Sequence, residues 1–194
     1  MAIPKTQDYF TRDEYLTMEE VAEYRSEYFR GEIFAMAGAT ANHDRISNAC
    51  NRLIGNALDG GSCEYFSNLI KVRIPNDDIY YYPELSAVCG PAEFEDEKET
   101  ILTNPVVIIV VLSDGTESFD RGKKFHRYKQ IPSLKEYILI AQDELQIDVF
   151  QNADDAIWHL RSYSGVEDSL EIKSLNIRLP LAEIYRRVKF RSKP

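Results

Sequence analysis

The sequence predicts an α/β fold with mixed helix and strand order: a central mixed β-sheet flanked by helices on both faces, with an N-terminal helix and hairpin extension. Three observations predict it. Residues 42–58 place Ile46, Ala49, Cys50, Leu53, Ile54, Ala57 and Leu58 at three- and four-residue steps, the signature of one apolar helix face. The run from Val106 to Leu112 is continuously apolar, as expected of a strand buried on both faces in a sheet centre. From residue 42 onward the order is helix, three strands, helix, strand, which packs naturally as a sheet between helix layers.

The elements follow in order. Thr11-Arg12-Asp13-Glu14 and Thr17-Met18-Glu19-Glu20 both fit a capping box, so short helices are expected to begin at each. Tyr24 to Ala37 is rich in aromatics and broken by Arg30-Gly31, which reads as a hairpin with Glu32 opening its second strand. Gly60-Gly61 ends the 42–58 helix. Strands are expected near 63–74, 80–89 and 105–113, then a helix near 120–131 with Phe125, Tyr128 and Ile131 facing the core and Pro132 as its stop. Tyr137 to Ala141 and Leu145 to Phe150 are further strands. Trp158 to Tyr163 and Leu170 to Ile177 are read as extending the sheet, and Pro180 to Val188 as a final short helix. The whole of 1–194 is expected to form a single domain with its core about 42–150, an N-terminal part 11–38 and a C-terminal part 157–188.

Composition narrows the function. A hydrophobic content of 44% and a charged content of 28% suit a globular protein, and no apolar run approaches the ~20 residues that span a bilayer. Met1-Ala2-Ile3-Pro4-Lys5 carries no apolar signal region, so a cytoplasmic location without membrane contact is expected. Cys50, Cys63 and Cys89 have no zinc-ligand spacing and are odd in number, so free thiols are expected. The net charge of −9 opposes general salt-driven attachment to a polyanion. Basic residues are nevertheless concentrated locally, at Arg121, Lys123, Lys124, Arg127, Lys129 and Lys135, and again at Arg186, Arg187, Lys189, Arg191 and Lys193.

The chemistry-bearing residues lie in a recognisable layout. Tyr82-Pro83-Glu84-Leu85-Ser86 ends one apolar strand, a second strand follows, and Asp120-Arg121-Gly122-Lys123-Lys124 opens a helix. A carboxylate on one strand, a neighbouring strand and a lysine on a following helix is the arrangement of a metal-dependent nuclease site. Phosphodiester hydrolysis needs a cation to neutralise the phosphate and activate water. Magnesium takes hard oxygen ligands, one or two of them carboxylates. Glu32, Glu84 and Lys124 are the candidates. Strand alternation puts Ile108, Val110 and Leu112 on one face, and a site between the two strands would look at Val110 and Leu112, both apolar. Read singly, a glutamate placed like Glu32 is more often hairpin polarity and a lysine like Lys124 more often a solvated helix lysine, while His43 fits a side chain bonded to backbone at the start of its helix.

Together these stretches resemble the Uma-type putative restriction endonucleases of the PD-(D/E)XK nuclease superfamily. The matching segments are Glu27-Tyr28-Phe29-Arg30-Gly31-Glu32-Ile33, Met36-Ala37-Gly38, His43, Lys71-Val72-Arg73, Tyr81-Tyr82-Pro83-Glu84 and Val111-Leu112-Ser113. The segment Asp120 to Phe125 with Tyr128 and Ile131 to Tyr137 matches as well. The resemblance implies a restriction-endonuclease-like core, DNA as substrate and Mg2+ as cofactor. It also implies a homodimer, since such enzymes pair two sites to cut two strands and closed two-fold assembly is the commonest kind. Glu32 matches the first acid, Glu84 the aspartate of Pro-Asp, and Lys124 the helix-borne lysine; catalysis is expected from these three, and metal ligation from Glu84 and Glu32. Val110 stands where the resemblance places the second metal-binding glutamate. The site is therefore expected to be degenerate and to hold magnesium weakly. The alternative is a catalytically inactive paralogue serving as a DNA-binding or protein-interaction module. His43 and Tyr128 are expected at the cleft rim.

Overall fold

A computed structural model describes residues 9–36, 38–153 and 157–190. The expectations attached to Met1–Lys5, Ala37, Arg191 and Lys193 lie outside these residues.

Helix α1 spans Arg12–Val21 and begins at the predicted capping box: the Thr11 hydroxyl accepts from the Glu14 backbone N–H, and the Glu14 carboxylate accepts from the Thr11 N–H at 2.7 Å. The second helix start expected at Thr17 does not occur. Nothing between the two threonines breaks the helix, so Thr17 lies inside it and its hydroxyl donates to the Asp13 carbonyl at 2.8 Å. Tyr15 is the buried residue of this helix and stacks on Tyr28 with 4.8 Å between ring centroids, which docks α1 on the hairpin of β1 (Ser26–Phe29) and β2 (Glu32–Ala35). Arg30 and Gly31 both take positive φ, as a two-residue hairpin turn demands. Only glycine fits the second place, where a Cβ would run into the Tyr9 ring.

Helix α2 spans Ala41–Leu58, with the Thr40 hydroxyl accepting from the His43 N–H at 3.2 Å. Its buried face is narrower than predicted. Ile46, Cys50, Ile54 and Leu58 are buried, Leu53 is partly buried, and Ala57 is exposed.

Two long predicted strands each divide between two sheets. The 63–74 run becomes β3 (Cys63–Ser67) and β4 (Lys71–Ile74), and the 80–89 run becomes β5 (Ile79–Tyr81) and β6 (Leu85–Cys89). Pro83 has no N–H to give a ladder, and the chain changes sheets there. With β7 (Ile101–Leu102), the first sheet runs β2-β1-β5-β4-β7. With β8 (Val107–Val111), β9 (Glu136–Ile140), β10 (Ile147–Asn152) and β11 (Trp158–Tyr163), the second runs β11-β10-β9-β8-β6-β3. The second is the predicted mixed sheet: β8 pairs parallel with β9 and antiparallel with β6, where Leu85 faces Ile109 and Ser86 faces Ile108.

Every residue of β8 is buried, and alternation sends its side chains to two cores. Val107, Ile109 and Val111 pack with Ile46, Cys50 and Ile54 of α2. Ile108, Val110 and Leu112 pack with Tyr128, Ile131 and Leu134 beneath the second helix. Helices therefore cover both faces, as predicted. The helix expected over 120–131 runs as α3 (Glu117–Phe119), a π-helical turn Asp120–Lys124 and α4 (Phe125–Tyr128).

The C-terminal part departs from expectation. β11 extends the sheet, but β12 (Ser169–Ile172) pairs with β13 (Ile177–Pro180) in a separate two-stranded sheet, and α5 is only Leu181–Ile184. Cys63 and Cys89 are not free thiols. They oppose each other directly across β3 and β6 and form a disulfide. Cross-strand register brings together residues whose spacing in sequence carries no signal. Cys50 stays free and buried, its thiol pushed up to about 12 by burial first and by the Glu84 charge second.

Candidate active site

A cavity of about 700 Å³ lies where the β1–β2 hairpin, the first turn of α2, the Tyr82-Pro83-Glu84 crossover, the end of β8 and the π-helical turn meet. Glu32, His43, Glu84, Val110 and Lys124 all line it. Tyr128 does not. It is fully buried against Tyr81 and Tyr137 and packs in the core one helical turn beyond Lys124.

Glu84 sits one residue beyond the proline that ends the first sheet, so its side chain faces the end of β8. Its Oε2 accepts from the Val111 backbone N–H at 2.9 Å, and its Oε1 lies 3.2 Å from His43 Nε2. Burial alone would favour neutral imidazole. The Glu84 carboxylate and the Val111 carbonyl outweigh it and hold His43 above its ordinary pKa.

Lys124 is almost wholly buried, with Nζ 2.8 Å from Glu27 Oε1, 3.7 Å from Asp120 Oδ1 and 4.9 Å from the Tyr81 ring centre. Burial pulls its pKa down, but Glu27, Asp120 and Glu84 override that and keep the ammonium protonated. It acts here as a fixed positive charge. Glu32 opens β2 as an exposed carboxylate on the cavity wall. Val110 is 3% exposed and presents a hydrocarbon to the same space.

Glu27 and Asp120 belong to this site, and the sequence reading did not single them out. Glu27 alternates with the buried Tyr28, so it faces away from the α1 contact, and its carboxylate also accepts from the Tyr82 N–H at 3.2 Å. Asp120 stands four residues before Lys124, a spacing that puts both on one side of a helical turn. It is 2% exposed, and burial is the first cause pushing its carboxyl upward, with Lys124 and the Thr116 hydroxyl opposing. Its Oδ1 has no hydrogen-bond partner.

Among the described residues no group of three His, Cys, Asp or Glu side chains is disposed to hold a metal ion. Magnesium needs fewer protein ligands than that, since water and phosphate oxygens complete its octahedron. Hard carboxylate oxygens are present on the cavity wall at Glu84, Glu32 and Asp120, so the donor chemistry fits a hard cation while Val110 adds nothing to it.

Basic side chains continue outward. A more open hollow shares Phe29, Lys123 and Arg127 with the cavity and adds His126, Arg30 and the Asp77 carboxylate that pairs with Arg30. Among the described residues no helix is long and apolar enough to cross a membrane.

A mixed sheet between helices with this cavity at its strand ends defines a nuclease-like fold. A crystal structure of a putative nuclease belonging to DUF820 from Anabaena variabilis shares that fold, with a TM-score of 0.74 at 19% identity over 91% of this chain and 98% of that one. Residues 12–182 match the Uma2 family of putative restriction endonucleases, and the chain belongs to that family. Two uncharacterised proteins of Synechocystis sp. are similar along nearly their whole length. One is 38% identical over 179 residues, 92% of each chain. The other is 33% identical over 177 residues, 91% of this chain and 100% of the relative.

Proposed function

We propose that the chain is a metal-dependent DNA endonuclease that hydrolyses phosphodiester bonds, with Glu32, Glu84 and Lys124 as its catalytic residues. The observation that carries this reading is the meeting of Glu84, His43 and Lys124, remote in sequence, in one cavity with a basic margin. Glu84 and Glu32 serve as magnesium ligands, and the cation supplies charge neutralisation and an activated water. Lys124 keeps its proton and faces the negative charge that grows on the phosphate. His43 and the Val111 N–H fix the Glu84 carboxylate. Lys123 and Arg127 take the DNA backbone, a contact that weakens as salt rises.

The test is nicking of supercoiled plasmid with magnesium present and absent. Nicking that requires magnesium and vanishes in Lys124→Ala supports the proposal, and a purified protein that cuts nothing removes it. Val110 favours a second reading, an inactive paralogue that binds DNA or a protein partner; salt-sensitive DNA binding without cleavage supports that one. A homodimer in the cytoplasm belongs to the first reading. Light scattering showing monomers at micromolar concentration counts against the dimer, and a Cys63–Cys89 bond intact in cells counts against the reducing compartment.

A further inference from the structure

We propose that Asp120 supplies the second metal-binding carboxylate of this site, from the π-helical turn, in place of the carboxylate that Val110 lacks. The inference rests on the metal-dependent reading above.

A carboxylate oxygen buried without a donor is costly and calls for a reason. Asp120 Oδ1 is such an oxygen, on a side chain 2% exposed in the wall of the cavity that Glu84 also lines. Lys124 does not satisfy it. The ammonium is 3.7 Å away, beyond hydrogen-bond reach, and donates instead to Glu27 at 2.8 Å. The wall carries Glu27, Glu32, Glu84 and Asp120 against Lys123, Lys124 and Arg127, with His43 beside Glu84. A divalent cation touching Asp120 and Glu84 gives the orphaned oxygen a partner. Two carboxylates are within what magnesium accepts.

The backbone supports the same placement. The turn Asp120–Lys124 is π-helical, a local widening frequent at functional sites. It buries Asp120 and Lys124 together while Gly122 and Lys123 stay exposed. Val110 and Asp120 line one cavity from different elements, so a ligand lost from the strand is replaced from the helix without changing the fold.

The test is direct metal binding, read by loss of the free Mn2+ signal in electron paramagnetic resonance and by the magnesium-induced rise in melting temperature. Wild type is expected to bind in the millimolar range or tighter. Asp120→Asn should weaken binding about tenfold or more, and adding Val110→Glu should recover it. Metal-free Asp120→Asn should melt no lower than wild type. If Asp120→Asn binds manganese like wild type while Glu84→Gln does not bind, Asp120 is not a ligand and the metal-dependent reading survives. If wild type binds neither ion, both fall. Should Asp120→Asn fail to fold, wild-type crystals soaked in Mn2+ decide: an anomalous peak in contact with Asp120 Oδ1 supports the assignment, and a peak on Glu84 away from Asp120 overturns it.

Discussion

The imidazole Nε2 of His43 lies 3.2 Å from a Glu84 carboxylate oxygen, joining the first turn of α2 to the point where the chain leaves one sheet for the other. Both side chains are largely buried, so the pair is more than a surface contact. It ties the helix to the end of β8 through the second Glu84 oxygen, which accepts from Val111.

His43→Ala should therefore destabilise the protein by about 1–3 kcal/mol, the cost of leaving a buried acceptor without its donor. His43→Gln, which restores an N–H, should recover part of it. Urea unfolding of the three proteins measures the difference. Equal midpoints for wild type and His43→Ala would show that water replaces the imidazole at no cost.

Lys124 should be structural and catalytic at once, and the two roles are separable. Lys124→Met leaves Glu27 and Asp120 buried without their cation, so it should cost about 3–5 kcal/mol. Neutralising the partner as well, in Glu27→Gln with Lys124→Met, should restore much of the stability. It should not restore plasmid nicking, because the charge facing the phosphate is still gone. Recovery of cleavage in the double variant would remove Lys124 from the chemistry.

Much of this was legible in the sequence. The apolar period of α2, the Arg30-Gly31 turn and the continuous apolar β8 each have one strong local cause, and each appears where it was expected. The division of 63–74 and 80–89 between two sheets was not legible, because a strand's residues do not say which neighbour takes their N–H groups. The failure of Leu170 to Ile177 to join the main sheet has the same cause. In the site, Glu84, Lys124 and Val110 stand in ordered motifs and could be named. Glu27 and Asp120 stand in those same motifs, but their importance comes from burial and from Lys124 Nζ, which only the fold supplies.

Val110→Glu should carry a stability cost without metal and lose that cost with it. Removing a 3% exposed valine forfeits about 1.5–3 kcal/mol of apolar burial, and the new carboxylate joins Glu84 and Asp120 in a confined space. Magnesium should reverse the loss, seen as a larger melting-temperature rise than in wild type. With Glu84→Asp alongside, magnesium-dependent nicking should increase. A double variant that folds, binds magnesium and cuts no faster than wild type would show that Val110 does not limit activity.

The Cys63–Cys89 bond closes the chain between β3 and β6. In the chain-entropy view a loop of this length contributes about 3–4 kcal/mol by restricting the unfolded state. Cys63→Ser should lower stability in oxidising buffer by up to that amount and have no effect in reductant. Thiol titration of the denatured, unreduced protein should find one group, Cys50, and three after reduction. Three groups before reduction would mean that the bond is not formed in the isolated protein.

Asp148 should make part of the fold pH-sensitive through its contact with Arg121 of the π-helical turn. It is 7% exposed, and its carboxylate accepts from Arg121 at 2.5 Å, Ser162 at 2.6 Å and Gln146 at 2.7 Å. Burial pushes its pKa upward, but these three donors outweigh it and hold the group below the usual 3.8. A carboxyl depressed by folding contributes stability above its unfolded pKa and loses it as pH falls through the folded one. Asp148→Ala should thus cost about 1.5–3 kcal/mol at neutral pH, the range for hydrogen bonds to a charged group. The gap to wild type should narrow below about pH 4 as Asp148 itself is protonated. Urea unfolding of both proteins across that range gives the two curves, and a gap that stays constant to the lowest pH would show that the ionised carboxylate is not what the network needs.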